Sequence, residues 1–207
     1  VNGNTVLVDA TGGPAADVDA ARAAALGFTV EKVTSAAVWN AKTTADFRTY
    51  KAIAIPDNYC DGPSAAALAS RTTWSPAVTG NVLVVGGDPE LHAGGGNGAE
   101  KLVQNGIGFA ANDPGKTGLW VALGCYPTTT VLDQFGTFVP NNMSTDTVHI
   151  VAVHPALSGL SDALLSNWGT STHLSFASYP AAFLPLAIQQ NPAYPTITPS
   201  TPGYACF

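Results

Sequence analysis

Charge is what this sequence has least of. Lys, Arg, Asp and Glu make up 11% of its 207 residues, against about 25% in an average soluble domain. The 8 basic and 14 acidic residues give a net charge of −6. The last basic residue is Lys116 and the last charged residue of either sign is Asp162, so residues 163–207 carry no formal charge. Nucleic-acid binding needs clustered Lys and Arg to displace counterions. No such cluster occurs, and that class of partner is excluded. Apolar runs are short as well: none approaches the about 18–20 residues of a bilayer-spanning helix, which excludes insertion of that kind. Residues 1–9 show neither a basic n-region nor a cleavable apolar stretch, so no attached signal peptide is expected. Cysteine is sparse and odd in number, at 3. One disulfide with a leftover thiol, or an intermolecular bridge, fits an oxidising compartment.

What the chain has in quantity is apolar material, 46% of residues, enough to bury a sizeable core in one large domain. Ser, Thr, Asn, Gly and Pro are left to cover the outside. A surface so poor in charge is weakly protected against association: either glycans or neighbouring copies of the chain cover it, or it is a neutral surface that simply stays soluble. Asn142-Met-Ser144 is the only N-glycosylation sequon.

Residues 5–125 alternate strand and helix signals. Strands are expected at 5–9, 28–33, 51–55, 81–85 and 119–123, as short continuous apolar runs. Helices are expected at 14–26, 64–72 and 99–109, the last weakened near its end by Gly106 and Gly108. This is the pattern of a parallel sheet covered by helices on both faces. Beyond it the signals are less regular, with strands at 135–139, 148–153 and 182–188 and a short helix or turn at 161–167. Residues 1–190 are therefore read as one α/β domain. Residues 191–207 are read as a Pro/Thr-rich extended tail that its prolines keep out of a sheet interior, and Thr196, Thr198, Ser200 and Thr201 make it a candidate for O-glycosylation.

Familiar catalytic motifs fail on inspection. Pro114-Gly-Lys-Thr117 resembles the end of a phosphate-binding loop, but Ala110 stands where that loop needs glycine, and a strand follows instead of a helix. Gly94-Gly-Gly-Asn-Gly-Ala99 lies too far beyond its strand to make a dinucleotide turn. Cys125 follows a strand in Leu123-Gly-Cys-Tyr-Pro127, without the second glycine of a nucleophile elbow and without a helix signal to supply oxyanion donors. His149 and His154, five residues apart on or just beyond a strand, point to opposite faces and make a poor zinc pair. If the sheet is parallel, Asp9, Asp57, Cys60, Asp88, His92 and Cys125 all fall near its carboxyl edge, where open α/β sheets bind ligands. Were the protein an enzyme, Asp57, Asp88, His92 and Cys125 would be its catalytic residues. Asp and Gly equally serve as plain turn residues at such strand ends. Cys60 and Cys125 end on the same edge, which makes a bridge between them geometrically possible.

Several segments together resemble the class I glutamine-amidotransferase-like fold, in particular its ThuA-like branch. They are the opening strand into Asp9, the third strand ending at Asp57, Asn81-Val-Leu-Val-Val-Gly-Gly87 and His154-Pro-Ala-Leu-Ser-Gly-Leu160. The chain is also similar to an uncharacterised domain of large secreted bacterial proteins. The resemblance implies a flavodoxin-like, mainly parallel sheet. It does not carry glutaminase chemistry across, because that chemistry uses a Cys–His–Glu triad. The residues two beyond each histidine are Gly94, Val151, Ala156 and Ser175, and none is Glu.

These readings lead to the expectation of a secreted, non-catalytic structural subunit of an extracellular fibre, surface layer or appendage. Its partners are copies of itself and glycans, with no cofactor and no metal. The alternative is a secreted hydrolase or carbohydrate-binding domain that uses the carboxyl edge of the sheet.

Overall fold

The computed structural model describes residues 3–126, 128–141, 144–189 and 205–206. Its first half is an α/β unit. The strands β1 (Thr5–Asp9), β2 (Thr29–Val33), β3 (Ala52–Ile55), β4 (Val78–Val85) and β5 (Thr117–Ala122) form one sheet in the order β2-β1-β3-β5-β4. Every pairing in it is parallel. The last two strands are exchanged relative to the 2-1-3-4-5 order of a flavodoxin-like sheet. β4 is thereby an edge strand, while β5, buried along its whole length, takes the interior position.

Side chains of the central strands alternate between two cores. Val6, Val8, Ala52, Ala54, Leu83, Val85, Trp120 and Ala122 face one side, and Leu7, Ile53, Ile55, Val84, Leu119 and Val121 face the other. The first side is covered by α1 (Ala16–Ala25) and α6 (Ala99–Ala110). The second is covered by the short helices α2 (Ala36–Asn40), α3 (Thr44–Phe47), α4 (Ala65–Ala69) and α5 (Arg71–Trp74), which contribute Trp39, Phe47 and Trp74. The helix expected over 64–72 is thus two helices. Ser70 marks the break, with its Oγ donating back to the Ala66 carbonyl at 2.7 Å, a bond that competes with regular helix. Gly106 does not end α6 early. A Cβ there would lie 2.2 Å from the Trp120 ring, so the glycine is what lets α6 lie flat on that indole.

The second half is a different structure. β6 (Val139–Asn141), β7 (Val148–Ile150), β8 (Ser175–Ser178), β9 (Ala187–Gln189) and β10 (Ala205–Cys206) make an antiparallel sheet in the order β6-β8-β10-β9-β7. The strand expected over 135–139 begins only at Val139. Residues Thr130–Phe135 wind into a 3₁₀ turn, and Gly136 reverses the chain at φ +117°. The end of the tail, against expectation, enters the sheet: Ala205 pairs with Phe176 on one side and Ile188 on the other. Its last proline is Pro202, so the residues that pair keep their N–H groups. Thr196, Thr198, Ser200 and Thr201, like Asn142, lie outside the described residues. Short α7 (Asp162–Leu165) packs beside β7. Among the described residues, no helix is long and apolar enough to cross a membrane.

Candidate functional site

All five parallel strands end at one edge, and the loops that leave it carry the polar residues. Asp57 follows β3 and is fully buried. Its two carboxylate oxygens accept the backbone N–H groups of Cys60 and Gly62, each at 2.7 Å. Those bonds hold a tight loop in which Tyr59 (φ 53°) and Cys60 (φ 73°) are both left-handed, a conformation that costs non-glycine residues energy and needs such support. Gly124, after β5, passes so close that a Cβ would fall 2.1 Å from Asp57 Oδ1. Burial pushes the Asp57 carboxyl up to about 6; its two backbone N–H donors oppose the shift, nearby Asp88 adds to it and His173 subtracts.

The Cys60 loop and the turn after β5 are joined covalently by a disulfide between Cys60 and Cys125, with Cα atoms 4.5 Å apart. Asp88, from the loop after β4, is fully buried beside it. Asp88 Oδ2 is 3.5 Å from Cys60 Sγ. Asp88 Oδ1 has His92 Nε2 and His173 Nε2 each at 3.3 Å, yet neither contact has hydrogen-bond geometry and this oxygen is left without a partner. His173 Nε2 is 4.0 Å from Cys60 Sγ. The His92 ring rests on Trp168, with centroids 5.4 Å apart.

His173 has no sequence signal, because it comes from the segment between α7 and β8, 113 residues from Cys60. That segment roofs the edge. The N–H groups of His173 and Leu174 both donate to the Gly86 carbonyl, at 3.0 and 2.9 Å, and Gly124 N–H donates to the Gly87 carbonyl at 2.9 Å. A Cβ on Gly86 would lie 2.0 Å from the Leu174 carbonyl oxygen, and one on Gly87 would lie 2.8 Å from that of Ser171. The paired glycines at the end of β4 therefore exist to let this backbone dock. A cavity of about 10 Å³ remains beside them, lined by Gly86, Gly87, Trp168 and Thr172 among others, room for one water at most.

Of the other residues singled out from the sequence, Asp9 is spent on local structure, accepting Thr11 Oγ1 at 2.7 Å and Ser64 Oγ at 2.5 Å. That ties the loop after β1 to the start of α4. His149 pairs with Asp162 at 2.7 Å. His154 accepts the Ala156 N–H and packs edge-on against Phe109, so the His-Pro segment is a 3₁₀ turn lying along α6. Deeper still, Asp19 of α1 and Glu90 sit side by side near the Trp120 indole, fully desolvated and without a hydrogen bond of normal geometry. Burial raises both carboxyls, Asp19 to about 7.

Chemically, the edge is a buried acidic nest containing two histidines and a bridged cysteine pair. In the bridged state neither sulfur is a free nucleophile. The chain after Cys125 enters the 3₁₀ turn Thr130–Phe135, so no α-helix N-terminus follows that cysteine. Comparison with protein-family models, with curated proteins and with solved structures finds no match to this chain.

Proposed function

We propose that the chain is a secreted, non-catalytic structural subunit of an extracellular assembly, on a parallel α/β scaffold of the amidotransferase-like kind whose last two strands are exchanged from the flavodoxin-like order. The observation that carries this reading is the roof over the carboxyl edge. The crevice in which open α/β sheets hold ligands is here filled by the chain's own residues 171–174 and spanned by a disulfide. A disulfide supports an oxidising, extracellular setting. The surface offered to a neighbouring copy is the β4 edge, which pairs with no further strand among the described residues and is a template for association. A groove of about 510 Å³ runs along it, lined by Val82, Phe109, His154, Phe183 and Leu184. Leu184 there and nearby Val153 are exposed. Glycans on Asn142 and on the tail would cover further charge-poor surface.

Size-exclusion and negative-stain microscopy of native material test the proposal. Large regular assemblies are expected, and a stable monomer at working concentration defeats it. One observation favours the alternative of a hydrolase or carbohydrate-binding domain: Asp57, Asp88, His92 and His173 gather at a single edge. Saturable oligosaccharide binding or hydrolysis that Asp88→Asn abolishes would move the assignment there.

A further inference from the structure

Four groups from four separate segments converge at the carboxyl edge. The ligand atoms of Cys60, Asp88, Cys125 and His173 all lie within 4.8 Å of one another, and among the described residues no other group of His, Cys, Asp and Glu gathers in this way. A tetrahedral zinc site with bonds of about 2.0–2.3 Å places its ligand atoms about 3.3–3.8 Å apart. Asp88 Oδ1 to His173 Nε2, at 3.3 Å, has that spacing, Cys60 Sγ to His173 Nε2 is slightly wider at 4.0 Å, and the other Asp88 oxygen, Oδ2, is 3.5 Å from Cys60 Sγ. Two sulfurs, one imidazole nitrogen and one carboxylate oxygen are a donor set suited to zinc.

A second observation points the same way. Asp88 Oδ1 is buried and unpartnered although two imidazole nitrogens stand beside it. An oxygen so placed lacks a hydrogen bond, and a cation held between it and His173 would satisfy it. Glu90 lies close enough to feel the charge of Asp57, and Asp57 that of Asp88. A cation at Asp88 would offset a buried carboxylate charge in this nest.

We propose that the reduced chain binds one Zn²⁺ through Cys60 Sγ, Cys125 Sγ, His173 Nε2 and an Asp88 carboxylate oxygen, and that the Cys60–Cys125 disulfide is the oxidised, metal-free form of the same site. Conversion in one direction needs a reductant. A dithiol gives two electrons to the S–S bond and becomes a disulfide itself, leaving Cys60 and Cys125 as thiols. Zinc then displaces their two protons to solvent and forms two Zn–S bonds. In the other direction a disulfide oxidant takes two electrons from the pair, the S–S bond forms and Zn²⁺ leaves. The metal and the disulfide thus exclude each other. Asp57 positions Cys60 through the 2.7 Å bond to its N–H and takes no part in coordination.

The test uses the full-length Cys206→Ser chain, which removes the third thiol. After reduction with a phosphine under inert gas, it is titrated with Zn²⁺ against a chromophoric chelator, and in parallel with Co²⁺. One equivalent of metal is expected, with the visible absorption of tetrahedral cobalt and near-ultraviolet charge transfer of the strength given by two thiolates. His173→Ala and Asp88→Asn should each weaken zinc binding at least tenfold, and the disulfide form should bind none. A cobalt spectrum without thiolate charge transfer overturns the proposal, and that reading needs neither the His173 nor the Asp88 variant to fold. So does zinc affinity in the reduced chain no greater than in a Cys60→Ser/Cys125→Ser double variant whose circular dichroism is unchanged.

Discussion

The two sheets solve the problem of buried polar groups in opposite ways. The parallel half hides acids: beside the neutral Ser64, Ser75 and Thr117, it buries Asp9, Asp19, Asp57, Asp88 and Glu90 at or beneath its carboxyl edge. The antiparallel half hides neutral groups, namely Ser171, Thr172, Ser175 and Gln189. Gln189, for example, donates to Thr172 Oγ1 at 2.7 Å. A neutral hydroxyl or amide is satisfied by one or two hydrogen bonds, whereas a buried acid must also shed its charge, find a cation or gather N–H donors. The halves differ in self-sufficiency too. Parallel strands are sandwiched between two cores, while the strands β6–β10 are 2 to 4 residues long. Such short strands do not stand alone; they lean on the first half through Phe138, Phe176, Val148 and Ala187. The parallel half is therefore the support, and the antiparallel half the dependent.

The largest effect should come from damaging the support. Trp120 is completely buried between β3, β4 and α6, and Trp120→Ala should cost about 3–5 kcal/mol. If the second half depends on the first, the whole molecule loses stability together. Trp168, the one tryptophan of the antiparallel half, then reports the same urea midpoint as far-ultraviolet circular dichroism. A Trp168 signal that keeps its wild-type midpoint would show two independent units.

Next is the seam. Gly86→Ala puts a methyl 2.0 Å from the Leu174 carbonyl oxygen, and backbone cannot yield as a side chain does. The expected cost is about 1–3 kcal/mol. Residues 171–174 should lift from the edge, which hydrogen exchange at the His173 and Leu174 amides would register before any change in β1, β3 and β5. Unchanged protection at those two amides would mean that the roof is held from elsewhere.

How far the sequence reveals each half follows from the same contrast. Four of the five parallel strands are mainly apolar runs closed by Asp, Gly or Pro, β2 (Thr29-Val-Glu-Lys-Val33, followed by Thr34) being the exception, and all five are readable to within a residue or two apart from the early start of β4. Val78–Val85 begins three residues before the expected strand because the register shifts between Val78 and Val82. The helices α2 and α3 were missed. They are only 5 and 4 residues long, although the Thr43–Asp46 capping box that starts α3 was a usable signal. In the antiparallel half, runs of 2 to 4 residues among serines and threonines carry too little periodicity to read. The residues Asp57, Cys60, Asp88, His92 and Cys125 were placed on one edge by topology alone. His173 was not, since its place is set by backbone bonds to Gly86 from a distant segment.

A pH dependence of stability is expected from the parallel half, where the raised carboxyls lie. Asp19 has its carboxyl raised from 3.8 to about 7, chiefly by burial. Around it are Glu90, also raised, the Trp120 indole and Arg22, whose Nε is itself buried and unpartnered. Between about 4 and 7 the folded chain keeps the Asp19 proton that the unfolded chain has lost. This contribution to stability is therefore complete at acid pH, falls as pH rises through that window and levels off above it. Asp19→Asn should flatten the fall and raise stability at pH 8 by more than about 1 kcal/mol relative to pH 5. Urea midpoints at the two pH values decide it, and an identical pH trend in wild type and variant would remove Asp19 as the cause.

The smallest effect, and the sharpest discriminator, belongs to the dependent half. Asp162 starts α7 and fastens it to β7: Oδ1 accepts the Ile150 N–H at 2.8 Å, and Oδ2 faces His149 Nδ1 at 2.7 Å. Both side chains of that pair are partly exposed, at 40% for His149 and 48% for Asp162, so water replaces much of what is lost and Asp162→Ala should cost only about 1 kcal/mol. The location of the loss matters more than its size. Damage to a dependent element stays local when the support can remain folded without it. The amides of β7 should then exchange up to about tenfold faster, a factor matching about 1.4 kcal/mol, while those of β1, β3 and β5 keep their wild-type rates. Equal acceleration in both sheets would mean that opening is always global, and the division into support and dependent would fall with it.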